Sequence, residues 1–570
     1  MSRPPGLEYS VDDKPPFFKL LLVSLQQVLL LMIPLIMVII VVKQAQQSHH
    51  VMQSIVSLSM IALALAAVLQ AQRKGPLGSG LLAPSVSSAI YLQASLTAVA
   101  VGGLPLVFGM TILAGAVEAV FALVIHRLRV LFPPIVVAVI VVAVGIQLGL
   151  VGTRELLDEG LNLAGPELLK HVAVCALTVG VMMGLAVWGR GLFRLLATLI
   201  GLVMGTAIAL LAGFGDPSLL AEVSHAPLVG LPSFSHLSYS FDGSLVAAFV
   251  ICGVASGLRA IGAITTCQTI SNDEGKPIDF GSVRRGVAAD GVSCSLSGVL
   301  GVTGTSVAPS LVGLSEATGV TSRIVAYGVG AWLLFFALSP KLAALFMALP
   351  QNVMGSVLVF TGSLILMAGI KLMSSRKLEL RDTLIVGVPL LLGLNRAINP
   401  DYFQNLPQAL HAITDSLLTV TTITAILLNL VLRIGQKGAD VLIINPDENA
   451  PLKLKDALVR DASRWAVPER LVKRAGETLL KVETLIQEEN LADGPVEVRL
   501  EYDTVSFYVE LQYSGDPLML ASQRPPSETD RFEEMPMAIG LELYLENLRP
   551  DETLVNGDND RYTIKLRFFA

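Results

Sequence analysis

Arg259 lies in GVASGLRAIGAITTCQ, residues 253–268, and follows SLVAAFVICGVASGL, a run without one charged residue. A guanidinium in the middle of a membrane crossing costs about 2.5 to 3.5 kcal/mol on insertion scales, and such a charge usually marks a substrate or ion path. Arginine offers five N–H donors in a planar fork and no acceptor, so it suits an anionic or acceptor-rich partner. The bland alternative is a structural cation neutralised by Glu118 or Glu316, two acids that also fall in apolar segments. With Asp290, these are the acids in apolar segments that could bind a proton near neutrality.

Two interrupted segments are suited to face that charge. LLAPSVSSAIYLQASLTAVAVGGLP, residues 81–105, places Pro84 and a serine cluster before a short apolar run that ends at Gly102 and Gly103. GVTGTSVAPSLVGLSEATG, residues 301–319, carries Pro309 among four glycines. Each is too short to span alone, and they occupy corresponding positions in the two halves of the apolar region. Such pairs point to inverted repeats with a binding site at the midplane, between half-helix N-termini. Those termini, near Ser88 to Tyr91 and Pro309 to Ser310, add free N–H groups and positive partial charge, which again favours an anion.

The frame is a membrane protein. Of 570 residues, 53% are hydrophobic and 15% charged, with mean hydropathy +0.66. Apolar segments recur from Phe17 to about Leu432, about 12 to 14 of them, each near the length that crosses a hydrocarbon core of about 30 Å. The first, Phe17 to Val42, is longer than a cleavable signal peptide and reads as the first membrane helix. Cys175, Cys252, Cys267 and Cys294 lack metal-ligand spacing and read as packing residues, so no metal site, cofactor or disulfide is expected. A net charge of −6 offers no footprint for nucleic acid.

With odd helices running outward, Arg73, Lys74, Arg127, Arg129, Arg190, Arg194, Lys276, Arg284, Arg285, Arg323, Arg376, Lys377 and Arg381 fall on one side. The other side carries chiefly Lys43, Arg154, Lys170, Lys341 and Arg396. The positive-inside rule then predicts both termini cytoplasmic and an even helix count. Composition divides the chain into a cytoplasmic segment (1–16), a membrane domain (17–436) and a soluble cytoplasmic α+β domain (437–570). In the last, PERLVKRAGETLLKVETLIQEEN has helical periodicity, while VEVRLEYD, SFYVELQY and RYTIKLRFF alternate as half-buried strands do.

RRGVAADGVSCSLSGVLGVTGTSVAPSLVGLSEATGVTSR resembles the nucleobase–ascorbate transporters, the nucleobase:cation symporter-2 family of xanthine, urate and uracil permeases. SLQQVLLLM, GLPLVFGMTILAGAVEAVFALVIHRLRVLFPPIV and SPKLAALFMALPQNVMGSVLVFTGSLILMAGIKLM extend the likeness over most of residues 15–436. The resemblance implies an all-α polytopic membrane protein of fourteen transmembrane helices, built as two inverted repeats of seven. Helices 1 to 4 and 8 to 11 form a core, including half-helices 3 and 10. Helices 5 to 7 and 12 to 14 form a gate that dimerises, and the core slides against it as an elevator. It also implies a nucleobase substrate, a coupling proton or sodium ion, and residence in the inner membrane.

Where relatives commonly carry ESIGD in helix eight, this chain reads RAIGA. Gly262 keeps the register, Arg259 takes the glutamate's place and Ala263 the aspartate's. The Gln-Asn or Glu-Asn pair of helix ten corresponds to Ser310 and Leu311, ahead of Gly313, and the Gln-His of helix one to Gln26 and Gln27. Tyr91 matches an aromatic of helix three and Asp290 an acidic or amide position. Expected substrate contacts are therefore Arg259, Ser310, Gln26, Gln27, Tyr91, Thr305, Gly262 and Gly313. The cargo is a nucleobase-like ring or another anionic, acceptor-rich solute, with an anion exchanger, a channel or a non-transporting sensor as the alternatives. The tail is similar to histidine-kinase-type ATPases of the anti-sigma-factor kind, with GLELYLENL as a further matching stretch. Glu477 is retained there, but Lys481, Tyr513 and Pro517 stand where the Mg²⁺ and nucleotide groups belong, which implies a structural or regulatory module.

Overall fold

The computed structural model describes residues 7–569 apart from 129–132, 161–162, 272–278, 375–377, 379, 406–413, 415, 433–437, 445–453, 455, 459, 461–468, 489–491, 503–505, 516–551 and 559–560. Arg129, Lys276, Arg376, Lys377, Pro517 and the stretch GLELYLENL lie outside the described residues.

The first apolar run forms two helices rather than one, α1 (Phe17–Met32) and α2 (Leu35–Gln44). Pro34 supplies the reason, since it has no N–H to donate and its ring obstructs the preceding turn. After α3 (His49–Gln70) comes the strand β1 (Ser85–Ser87), which leads into α4 (Ala89–Leu128). α4 is two helices in one line of chain. Gly102 (φ −147°) and Gly103 (φ 71°, ψ −165°) leave helical geometry, and Pro105 starts the second part. Only a residue without a Cβ adopts the Gly103 conformation freely. The first part is the short half-helix that the glycine pair predicts.

α5 (Pro134–Gly160), α6 (Pro166–Trp188), α7 (Leu192–Leu195), α8 (Ala197–Leu211) and α9 (Pro217–His225) follow. Next are α10 (Val246–Ser271), α11 (Phe280–Val299), the strand β2 (Thr305–Val307) and the half-helix α12 (Pro309–Thr318). The membrane part continues with α13 (Ile324–Ala337), α14 (Pro340–Met347), α15 (Gln351–Met373), α16 (Leu380–Ile398) and the helices Pro400–Gln404 and Leu417–Leu432. Among the described residues, seven helices are long and apolar enough to cross a membrane, or up to eight if α13 and α14, bent by 83°, are one span. Half-helices and short apolar helices such as Ala197–Leu211 fall below a full crossing in length.

Two helix pairs meet through small residues, which lets backbones approach closely where no hydrophobic force drives association. α5 packs on α15 with Gly145 against Leu366, Gly152 against Leu358, and Gly369 against Val142. The second part of α4 packs on α11 with Gly115 against Gly291 and Ser295, and Gly298 against Ile112 and Phe108. Leu169, Trp188 and Leu211, on α6 and α8 or beside them, are exposed apolar side chains of the kind a lipid-facing surface presents.

β1 and β2 pair antiparallel, Ser85 opposite Val307, Val86 opposite Ser306 and Ser87 opposite Thr305. Both strands are wholly buried and each runs straight into a half-helix. The predicted interrupted segments therefore meet each other. The N-terminal residues form a strap at the far end of α12. Glu8 and Tyr9 donate N–H bonds to the Gly319 carbonyl (2.8 and 3.1 Å), and the Thr321 N–H donates to the Tyr9 carbonyl (3.0 Å). Asp12 pairs with both Arg73 and Arg323, each at 2.8 Å.

A second, separate hydrophobic core lies in the C-terminal part, with Leu479, Val498, Phe507, Leu511 and Phe568 at its centre. The strands β3 (Gly438–Ile444), β4 (Val496–Tyr502), β5 (Ser506–Ser514), β6 (Glu552–Asp558) and β7 (Arg561–Phe569) form an antiparallel sheet in the order β3-β4-β5-β7-β6. The helix Glu469–Glu488 buries Leu471, Ala475, Leu479, Val482 and Ile486, one stripe at helical spacing, against β5 and β7. Sequence alternation located β4, β5 and β7. It missed β3, in which the described side chains Asp440 to Ile443 are partly or fully exposed, and β6.

Candidate functional site

The site is assembled where α10 crosses the paired strands and their half-helices. α10 touches the first part of α4, β2 and α12. Two thiols dock it there, with Cys252 Sγ donating to the Ile90 carbonyl and Cys267 Sγ to the Leu82 carbonyl, both at 3.3 Å. Among the described residues no disulfide forms, and no group of three or more His, Cys, Asp or Glu is placed to hold a metal.

Arg259 sits near the middle of α10, half-buried, and its Nη1 donates to Ser88 Oγ at 3.3 Å. Ser88 caps the half-helix that begins at Ala89, because the same oxygen accepts from the Ile90 N–H (3.3 Å). The guanidinium is thus fixed at a half-helix N-terminus, where two sources of positive charge reinforce each other. Among the described residues Arg259 forms no ion pair. The acid whose field reaches it is Asp290 rather than Glu118 or Glu316.

Asp290, on α11, holds the strands together. One carboxylate oxygen accepts from Ser85 Oγ (3.0 Å) and the other from the Val307 N–H (3.1 Å), so a single side chain grips β1 and β2 at their paired residues. It is 1% exposed, and bonds to an ionised acceptor are the stronger kind. On α12, Ser310, Gly313 and Glu316 fall on one exposed stripe, and nothing approaches within 4 Å of where a Cβ on Gly313 would stand. Gly262, one turn beyond Arg259, is likewise exposed and open. Arg259, Gly262, Ser310 and Gly313 are therefore on accessible faces of two contacting helices.

The other predicted residues lie deeper. Tyr91 is fully buried with its ring laid on the backbone of Gly304, where an added Cβ would meet ring carbons at 2.5 Å. Thr305 turns its hydroxyl toward Ser297 (3.3 Å), away from the accessible faces. Gln27 donates to Ser315 Oγ across α1 and α12 (3.0 Å), so it cross-links helices, while Gln26 Nε2 is buried without a partner. Glu118 is wholly buried between α4, α10 and α11, apart from Arg259. A separate cavity of about 510 Å³, lined by Lys43, His49, Phe214, Asp216, Leu349 and Gln351 among others, does not include any of these residues.

With this geometry, the match of residues 18–402 to the Permease family model (Xan_ur_permease) decides the family. The chain belongs to that family. A putative purine permease of Clostridium perfringens is 29% identical over 385 residues, which cover 67% of this chain and 83% of that protein. The xanthine permease XanQ of Escherichia coli K12 is 27% identical over 408 residues, 68% and 85% of the two chains. The nucleobase transporter PlUacP of Paenibacillus larvae is 27% identical over 402 residues, 68% and 88%. These relatives are permeases, not enzymes. Among solved structures, the transmembrane domain of a cyanobacterial bicarbonate transporter, BicA, gives a TM-score of 0.44 at 15% identity, covering 73% of this chain and all of that one.

Three polar residues around this candidate site escaped the sequence. Ser85 and Ser256 sit in apolar, serine-rich stretches that name no partner, and Ser88 was visible only as part of a half-helix terminus. A usable signal existed for Ser256, which lies three residues before Arg259 and so on the same helix face. In the tail, Glu477 is exposed and Tyr513 is an interior residue of β5, packed 5.9 Å from Tyr562.

Proposed function

We propose that this permease is a secondary transporter for a nucleobase-like or other anionic, acceptor-rich solute. Membership of the family, with purine and xanthine permeases among its relatives, supports nucleobase transport. The observation that carries the choice of an electron-rich cargo is Arg259 fixed at the Ser88 half-helix terminus, with accessible Gly262, Ser310 and Gly313 nearby. The guanidinium fork would take a ring carbonyl or a deprotonated ring nitrogen, and Ser310 would add a neutral bond. Thr305, Gln26, Gln27 and Tyr91 would act behind these contacts, by holding the strands and half-helices in place.

The same proposal takes fourteen crossings in two inverted repeats, a core carrying the solute past a dimerising gate, and both termini on the cytoplasmic side of the inner membrane. The clasped β1–β2 pair supports a core that moves as one body. Residues 437–570 are proposed as a cytoplasmic regulatory module similar to a degenerate histidine-kinase-type ATPase, since the antiparallel sheet and the helix Glu469–Glu488 share a core of their own. Coupling to a proton or sodium gradient completes the cycle.

The test is a thermal-shift screen of purines, pyrimidines, carboxylates and inorganic anions on the wild type and on Arg259→Glu, followed by uptake into proteoliposomes. Stabilisation by anionic or oxo-substituted rings that Arg259→Glu abolishes is the expected result. Equal shifts in both proteins reject the role of Arg259. Binding with no flux under any ion gradient makes the protein a sensor instead.

A further inference from the structure

Glu118 is 0% exposed, and among the described residues neither carboxyl oxygen has a hydrogen-bond partner. Three polar side chains nevertheless face it: Asp290 from α11, Ser256 from α10 and Tyr91 from the first half-helix. The hydroxyls of Ser256 and Tyr91, each on a residue that is 0% exposed, also have no hydrogen-bond partner among the described residues, and Cys294 and Cys252 adjoin Tyr91. Asp290 already accepts from Ser85 and Val307, so it faces Glu118 as an acceptor. A bare carboxylate beside that acceptor would be repelled as well as undersolvated. A carboxylic acid would instead have an O–H to donate.

We propose that Glu118 is where this permease binds and releases its coupling proton, an assignment that rests on the transport function proposed above. With the proton on, the Glu118 O–H donates to Asp290. On release, the proton passes to water admitted when the site opens, no bond in the cargo is made or broken, and the new carboxylate accepts from the Tyr91 and Ser256 hydroxyls. The two unpartnered hydroxyls are thus the donors that the deprotonated state requires. They also link the proton to the cargo. Tyr91 is three residues from Ser88 on the half-helix, and Ser256 is three residues from Arg259 on α10, so each pair spans about 4.5 Å of helix. Drawing Tyr91 and Ser256 toward Glu118 therefore acts on the two helices whose next turns hold the Arg259–Ser88 contact.

Infrared spectroscopy of the full-length protein reads the proton directly and needs no cargo. The wild type is expected to show a protonated-carboxyl carbonyl band that shifts in heavy water, disappears on alkaline titration and is missing from Glu118→Gln. Tyr91→Phe and Ser256→Ala are expected to move the pH of that disappearance to more alkaline values, because each removes a donor from the carboxylate state. An unchanged band in Glu118→Gln, or no movement in either hydroxyl variant, overturns the assignment. So does stabilisation by sodium over choline that requires Glu118, in the absence of the band, which makes the site a sodium site.

In proteoliposomes with an inward proton gradient, the wild type should accumulate xanthine and Glu118→Gln should only equilibrate it. Accumulation that survives in Glu118→Gln also overturns the proposal. If the wild type moves no solute, the transport reading fails while the infrared band still decides the proton site.

Discussion

Removing the carboxylate of Asp290 should release the two strands on which both half-helices are mounted. Asp290→Ala deletes two bonds to a buried ionised acceptor, from Ser85 Oγ at 3.0 Å and the Val307 N–H at 3.1 Å. Each such bond contributes about 1.5–3 kcal/mol, so the expected loss is about 3–6 kcal/mol, against about 1.5–3 kcal/mol for Ser85→Ala. Cys252, Cys267 and Cys294 are buried, and a thiol-reactive dye reports their exposure as the core opens in denaturant. The double mutant is the sharper measurement, because once Asp290 is gone the Ser85 hydroxyl has nothing left to lose there. The Ser85→Ala effect should then nearly vanish in the Asp290→Ala background. Fully additive losses, or an Asp290→Ala variant no weaker than Ser85→Ala, would refute the clamp.

Two further perturbations follow from the packing and the loop charges. Gly304→Ala puts a methyl group against the buried Tyr91 ring, which has no flexible end to yield, and should destabilise by about 1–3 kcal/mol in the same dye assay. Tyr91→Ala in the same chain should recover part of that strain. Asp216 caps α9, and its carboxyl is held below the usual aspartate range by the Ser218 hydroxyl and then by the Ser218 N–H. Its contribution is therefore present above that usual range and lost as pH falls through the lowered value. Asp216→Ala should cost about 1 kcal/mol at neutral pH and progressively less on acidification, read as the difference between the two acid-unfolding curves.

What could be read without coordinates was whatever the chain punctuates locally. Gly102, Gly103, Pro84 and Pro309 announce the interrupted segments because glycine and proline change the backbone where they stand. Arg259 announces itself because a charge in an apolar run is costly and so calls for a partner, whether a solute or an acid. The break between α1 and α2 was available in the same manner from Pro34, but the continuous apolar run around it concealed it. The buried cluster was not legible. Glu118, Tyr91, Ser256 and Asp290 come from four elements whose relative register is set by contacts such as Gly115 on Gly291, and no local pattern encodes which residues then face each other. Glu316 shows the converse error. Its acid type and place in an apolar segment offered it, with Glu118, as an acid to neutralise Arg259, yet among the described residues Arg259 forms no ion pair.

The strap at the N-terminus constrains the order of biogenesis. Tyr9 and Thr321 bond across 312 positions, so this clasp can close only after the ribosome has delivered the chain past α12. Until then the first residues remain untethered, although they are synthesised first. An affinity handle or fluorescent protein fused ahead of Glu8 would hang from the end of the half-helix proposed to line the cargo site.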